Sequence, residues 1–235
     1  LASLLAASIS PADAMPTLTG VELGKPDTAD VVRQDGQTIT LTGRGKDDFG
    51  HDDTGSGAAL IDTDAPAFTF IARVAKAPVG TINGKYGLVM RSGDGPFDRM
   101  IAVRHVAGGG GRLTWLLRHT PARSTHDGPQ RLYHMGSHAD MNLAEGFWLK
   151  IVRRYPSVTC HYSVDGQNWR MVAPDYHMAL LEQKVKVGLM LTAGGDGKTP
   201  VTAQFDHVSV AIVAGNAPAV TRDSFVEYPT GNKPR

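Results

Sequence analysis

A single cysteine, Cys160, excludes an internal disulfide. Its place in the alternating run SVTCHYSV makes it a small strand residue, with no activating neighbour to mark a reactive thiol. Glutamate is almost as scarce: Glu22, Glu145, Glu182 and Glu227 are the only four among 23 acidic residues. So little glutamate leaves little material for surface helix. No segment sustains a 3.6-residue apolar period either, so no long helix is expected in the body. An excess of one charge is missing too. A formal net charge of +1 gives no field for capturing nucleic acid, which needs clustered Lys and Arg. The apolar run at residues 1–10 (LASLLAASIS) is too short to span a bilayer by itself.

What the chain does have is punctuation. Its 27 glycines and 14 prolines break it into short extended runs. Apolar and polar residues alternate within these runs, which puts one face of each strand in a core and the other in water. Strands are expected at Asp30–Gln34, residues 37–43, Ala67–Ala75, Tyr86–Arg91, Arg99–Val106 and Arg112–His119. Others follow at Gln130–Met135, Phe147–Arg154, Val158–Val164, Trp169–Val172, Val185–Thr192 and Val201–Val213. Asp35-Gly36 signals a hairpin turn, and residues 44–57 read as a polar, glycine-rich loop. This pattern predicts an all-β, two-sheet antiparallel sandwich of jelly-roll type with little helix.

The ends differ from the body. Residues 1–14 run into Pro11 and Ala12-Asp13-Ala14, which reads as the end of a secretory leader with an A-x-A cleavage site. Cleavage would start the mature chain near Met15; an uncleaved anchor or a segment docked on a partner is the alternative. The sandwich is expected over residues 15–213, and residues 214–235 as an extended tail. Export to the periplasm or the extracellular space follows from the leader pattern, with membrane association through the N-terminal segment.

Several motifs in this order resemble the concanavalin A-like β-sandwich modules of bacterial secreted and envelope proteins, including the group related to DUF1349. They are the loop at Thr42–Gly50 (TGRGKDDFG), the F-x-F-x-A-R-V strand at Phe68–Val74 and the YGLVMR strand at Tyr86–Arg91. Next come W-L-K-I-V-R at Trp148–Arg153 and the Y-S-x-D-G-x-x-W hairpin at Tyr162–Trp169. V-G-L-x-x-T at Val187–Thr192 and F-D-H-V-S-V at Phe205–Val210 close the pattern. The similarity runs from about residue 18 to 212, with Phe49 standing where relatives often carry tryptophan. It implies a concanavalin A-like fold, which carries lectins, carbohydrate-binding modules, glycosidases and lyases alike.

Candidate chemistry starts from carboxylates. Glycoside hydrolysis needs two of them facing each other across a cleft. No E-x-D-x-x-E spacing exists here, and no glutamate lies in a confident central strand. Asp47, Asp48, Asp52 and Asp53 sit in a glycine-containing loop, and Asp206 in the last strand. Turn capping accounts for the loop aspartates, and structural calcium is the metal that such hard oxygen donors suit. His119 and His134 lie among Arg118, Tyr133 and further histidines, as a lyase or polar binding site would require. Arg91, Arg104 and Arg118 are expected to share a sheet face with Trp115 or its neighbours. Such a face is either solvated or suited to acidic sugars or carboxylates. Trp115 and Trp148 lie in apolar strands and read as core. Trp169 follows a hairpin like a sialidase Asp-box, but one residue short.

Together these residues point to a non-catalytic, exported module binding carbohydrate or another ligand of the cell envelope. An accessory subunit of a larger envelope complex, with a protein partner there, is the second expectation. A glycosidase or lyase is the third.

Overall fold

The computed structural model describes residues 15–23, 31–46, 56–95, 98–107, 112–118, 137–138, 145–177 and 184–213, and these contain no helix. Within these residues fourteen strands make two sheets. They are β1 (Thr19–Leu23), β2 (Val31–Asp35), β3 (Thr38–Gly43), β4 (Ser56–Thr63), β5 (Ala67–Lys76), β6 (Lys85–Arg91) and β7 (Met100–Val106). The rest are β8 (Arg112–Arg118), β9 (Ser137–His138), β10 (Phe147–Arg154), β11 (Ser157–Ser163), β12 (Arg170–His177), β13 (Val185–Thr192) and β14 (Val201–Ile212). Sheet A runs β1-β4-β13-β6-β7-β8-β9 and sheet B runs β12-β11-β10-β5-β14-β3-β2. Every pairing is antiparallel. The expected sandwich is therefore present.

Sheet B follows the alternation rule. In β3, Ile39 and Leu41 point inward while Thr38, Thr40 and Thr42 face outward. In β10, Phe147, Leu149 and Ile151 are inward, and Trp148, Lys150 and Val152 outward. Phe68, Phe70 and Phe205 meet these residues in the main core. Cys160 lies there as well, fully buried, and burial pushes its thiol pKa up.

Sheet A does not alternate. Every residue of β6 is buried, as are Leu113–Arg118 of β8. Its inner face joins the main core, while Leu60, Val89, Ala102, Leu116 and Met190 form a second apolar cluster on its outer face. Burial on both faces erases the polar half of the pattern. That is why β4 was not expected, Ser56 and Gly57 reading as the end of the loop over residues 44–57: its first five residues, Ser56–Leu60, are all buried. β1 was likewise not expected, and it forms the edge of sheet A against β4. The turn between β2 and β3 falls at Gly36-Gln37, one residue later than predicted. Residues 130–135, read as a strand, lie outside the described residues.

One buried polar pair sets a pH response. His105 on β7 is 2% exposed, and its Nδ1 lies 2.8 Å from the Tyr86 hydroxyl. Its Nε2 has no hydrogen-bond partner among the described residues. Its ring packs against Phe147 with centroids 5.6 Å apart. Burial lowers the His105 pKa from 6.5 to about 4. The folded protein thus resists a proton that the unfolded chain accepts. Its contribution is complete above pH 6.5 and is lost as pH falls from there toward 4. Urea unfolding at pH 7.5 and 4.5 is expected to show His105→Gln losing less stability between the two than the wild type. The difference is about 2 to 3 kcal/mol.

Candidate functional site

Strand register places the three sequence-predicted arginines. Arg91 pairs across to Met100, and Met100 to Arg118; Arg104 pairs with Gly87 and Thr114. All three therefore lie on the outer face of sheet A, in two rows separated by Val89, Ala102 and Leu116. Gly87 makes room for Arg104, because a Cβ there would sit 2.2 Å from the Val103 carbonyl oxygen and 2.7 Å from the Arg104 Cα. The face is not solvated: Arg91 is 2% exposed, Arg104 1% and Arg118 0%. Arg91 Nε donates to the Gly93 carbonyl at 3.1 Å and its Nη2 to the Gly95 carbonyl. These bonds tie down the turn after β6. Arg118 Nη1 donates to the Asp98 carbonyl at 3.4 Å. Burial, and secondarily Arg118, lower the Arg91 pKa to about 10. Arg91 and Arg118 thus hold backbone in place. Trp115 is core, as its apolar strand suggested, so the arginines share their face with its neighbours Thr114 and Leu116 and not with Trp115 itself. It pairs with Val103, on the opposite parity from Arg104, and packs between the sheets in the main core.

An accessible polar site lies elsewhere, on the outer face of sheet B. The short turn at Tyr155-Pro156 folds β11 back on β10, so Lys150 pairs with His161, Val152 with Thr159 and Arg154 with Ser157. These six side chains line a recess of about 370 Å³. The Lys150 ammonium lies 3.9 Å from the centroid of the Trp169 ring. Half-burial lowers the Lys150 pKa. Burial, followed by the neighbouring Lys150 charge, lowers that of His161 to about 4. His161 is therefore neutral at physiological pH, and its Nε2 lies 2.9 Å from the Thr159 hydroxyl. Trp169 is held by the hairpin before it. The Asp165 carboxylate accepts from the Gln167 and Asn168 backbone N–H groups at 2.9 and 2.7 Å and from the Asn168 side chain at 2.7 Å. These bonds, that from the Asn168 backbone first, hold its pKa well below the usual carboxylate range. Gly166, at φ 74°, lies so close to the Trp148 indole that a Cβ would come within 2.8 Å of it.

Trp148 is not core, contrary to the sequence reading. It sits on this outer face, half-buried, with its ring 4.9 Å from that of His207. In the same row Asp206 makes a two-point ion pair with Arg73, at 2.7 and 2.5 Å, and lies 3.0 Å from His207 Nδ1. Both carboxylate oxygens are thus engaged by protein groups. Among the described residues no three His, Cys, Asp or Glu side chains come together to hold a metal ion. Asp47, Asp48, Asp52, Asp53, His119, Tyr133 and His134 lie outside the described residues. A smaller recess of about 240 Å³ is lined by Asp62, Ser92, Lys184, Val185 and Lys186. There Lys186 is neutralised by Asp62 at 3.5 Å and Asp94 at 2.9 Å.

Lys150, Arg154, Ser157, Thr159 and His161 were not singled out by sequence reasoning, and Trp169 was noted only for its hairpin. The signal was present in the alternation of FWLKIVRR and SVTCHYS, but it required pairing the two runs across Tyr155-Pro156.

No protein-family model matches the chain. No curated protein matches it in sequence. Among solved structures, a functionally unknown protein from Saccharomyces cerevisiae is 20% identical with a TM-score of 0.63, covering 83% of this chain and 97% of that one. The GH43 protein BlXynB from Bacillus licheniformis is 11% identical with a TM-score of 0.56; the match takes in 77% of this chain but only 34% of that one. A legume lectin-like domain from Entamoeba histolytica is 13% identical with a TM-score of 0.54, covering 83% and 90%. The likeness is one of fold, in keeping with a concanavalin A-like type of β-sandwich.

Proposed function

We propose that this chain is a non-catalytic carbohydrate-binding module that takes its ligand on the outer face of sheet B. The observation that carries the reading is the recess between β10 and β11, with Trp169 held beside it by the Asp165 hairpin. A sugar site combines an aromatic surface with converging hydrogen-bond groups. Here Ser157, Thr159 and His161 supply the polar groups on rigid strands. No carboxylate lines the recess, whereas glycoside hydrolysis uses two facing carboxylates. A lectin-like domain among the structural neighbours supports the same direction. The motif resemblance adds membership of the DUF1349-related group, and the leader-like residues 1–14 add export to the cell envelope.

The test is a glycan array followed by titration of the best ligand, with reducing-sugar release measured in parallel. Saturable binding that weakens at least tenfold in Trp169→Ala, without sugar release, is the expected result. Absence of any glycan ligand would overturn the carbohydrate reading, and release of reducing ends would overturn the non-catalytic one.

A further inference from the structure

We infer that the recess on sheet B recognises an acidic saccharide, its carboxylate or sulfate groups meeting Lys150 and Arg154. This rests on the carbohydrate-binding reading above and names the ligand class. Lys150 and Arg154 point to the same side of β10 and both line the recess. Neither has an ion-pair partner among the described residues. Two described acids near this face are committed elsewhere: Asp206 to Arg73 and His207, and Asp165 to its own hairpin. Among the described side chains the recess therefore holds two cations and no counter-charge.

Its construction favours an anion over water. The Trp169 ring covers one side of the Lys150 ammonium and fixes its position, so less side-chain entropy is lost when an anion arrives. Partial removal from water strengthens each charge interaction made there. His161 is uncharged beside Lys150, so it adds a hydrogen-bonding group without adding repulsion. Arg154 offers a planar fork suited to carboxylate or sulfate. Four residues of strand place the Cα atoms of Lys150 and Arg154 about 13 Å apart. That separation lets an oligosaccharide with acidic groups on neighbouring units engage both side chains.

Isothermal titration of the full chain with three probes of equal length separates the outcomes. They are an oligogalacturonate, a heparin oligosaccharide and a neutral xylo-oligosaccharide, each at low and high salt. Binding of one or both acidic probes, weakened by salt and reduced at least tenfold in Lys150→Met/Arg154→Met, is expected. Whichever acidic probe binds identifies carboxylate or sulfate as the group read. Equal binding of the neutral probe, unmoved by salt or by the double substitution, overturns the acidic inference and leaves the carbohydrate reading standing. Binding of none of the three, with a glycan array also blank, overturns both. Thermal unfolding of the variant, and a milder Lys150→Gln change, show that any loss of binding is not loss of fold.

Discussion

Truncating Phe147 to alanine is expected to remove about 3 to 5 kcal/mol of unfolding free energy. Phe147 opens β10 on the inner face of sheet B and is fully buried. Its ring meets Tyr86, with centroids 6.5 Å apart, and His105. Those partners belong to sheet A, so the ring is one of the places where the two sheets touch. Neither can follow a missing ring inward, since each is fixed in a strand paired on both sides. The cavity should therefore persist and add its cost to the lost transfer energy. Urea denaturation at neutral pH checks the value. A loss below about 1 kcal/mol would mean that the inter-sheet packing collapses onto the gap.

Gly188→Ala is the second large effect, and its cause is the opposite one. Gly188 lies in β13, between β4 and β6. A Cβ built there would stand 1.9 Å from the Ala59 carbonyl oxygen and 2.9 Å from the Leu60 Cα. These are backbone atoms of the neighbouring strand, so no rotamer change relieves the contact. One methyl group has to push β13 and β4 apart or break their pairing. A loss of about 3 kcal/mol, the upper end for overpacking, is expected. For a domain of this size that lowers the melting temperature by about 6 to 12 °C. Calorimetry of the variant decides it, and an unchanged melting temperature would show that the strands separate freely at this point.

These two sites also show where the sequence was readable. Phe147–Arg154 and Val185–Thr192 were delimited correctly because glycine or charged residues bracket each run. Polar residues on one face made β10 explicit. β4 offered no such contrast, since AALI is apolar on both faces and glycine-serine spacing disguised its start. The arginines illustrate a finer limit. Arg91, Arg104 and Arg118 share one face as expected, but exposure depends on the whole fold, and that face is buried and not solvated. Trp115, three residues from Arg118 in β8, falls on the opposite face, in the core where its apolar strand put it. A shift of one residue exchanges the faces. The recess needed the register of β10 and β11, so its residues were visible individually and not as a group.

The strand order bears on how the chain is made. β14, the last strand, is inserted between β3 and β5 in sheet B, and β13 between β4 and β6 in sheet A. During vectorial synthesis the ribosome therefore releases both sheets with a vacant central position. Sheet A cannot close until Thr192 has emerged, nor sheet B until residues near Ile212 have. Until then β3, β4, β5 and β6 present raw edges to any passing extended chain, a situation that invites aggregation. A stop codon before β13 would leave both sheets split in two, β1-β4 apart from β6–β9 and β2-β3 apart from β5 with β10–β12.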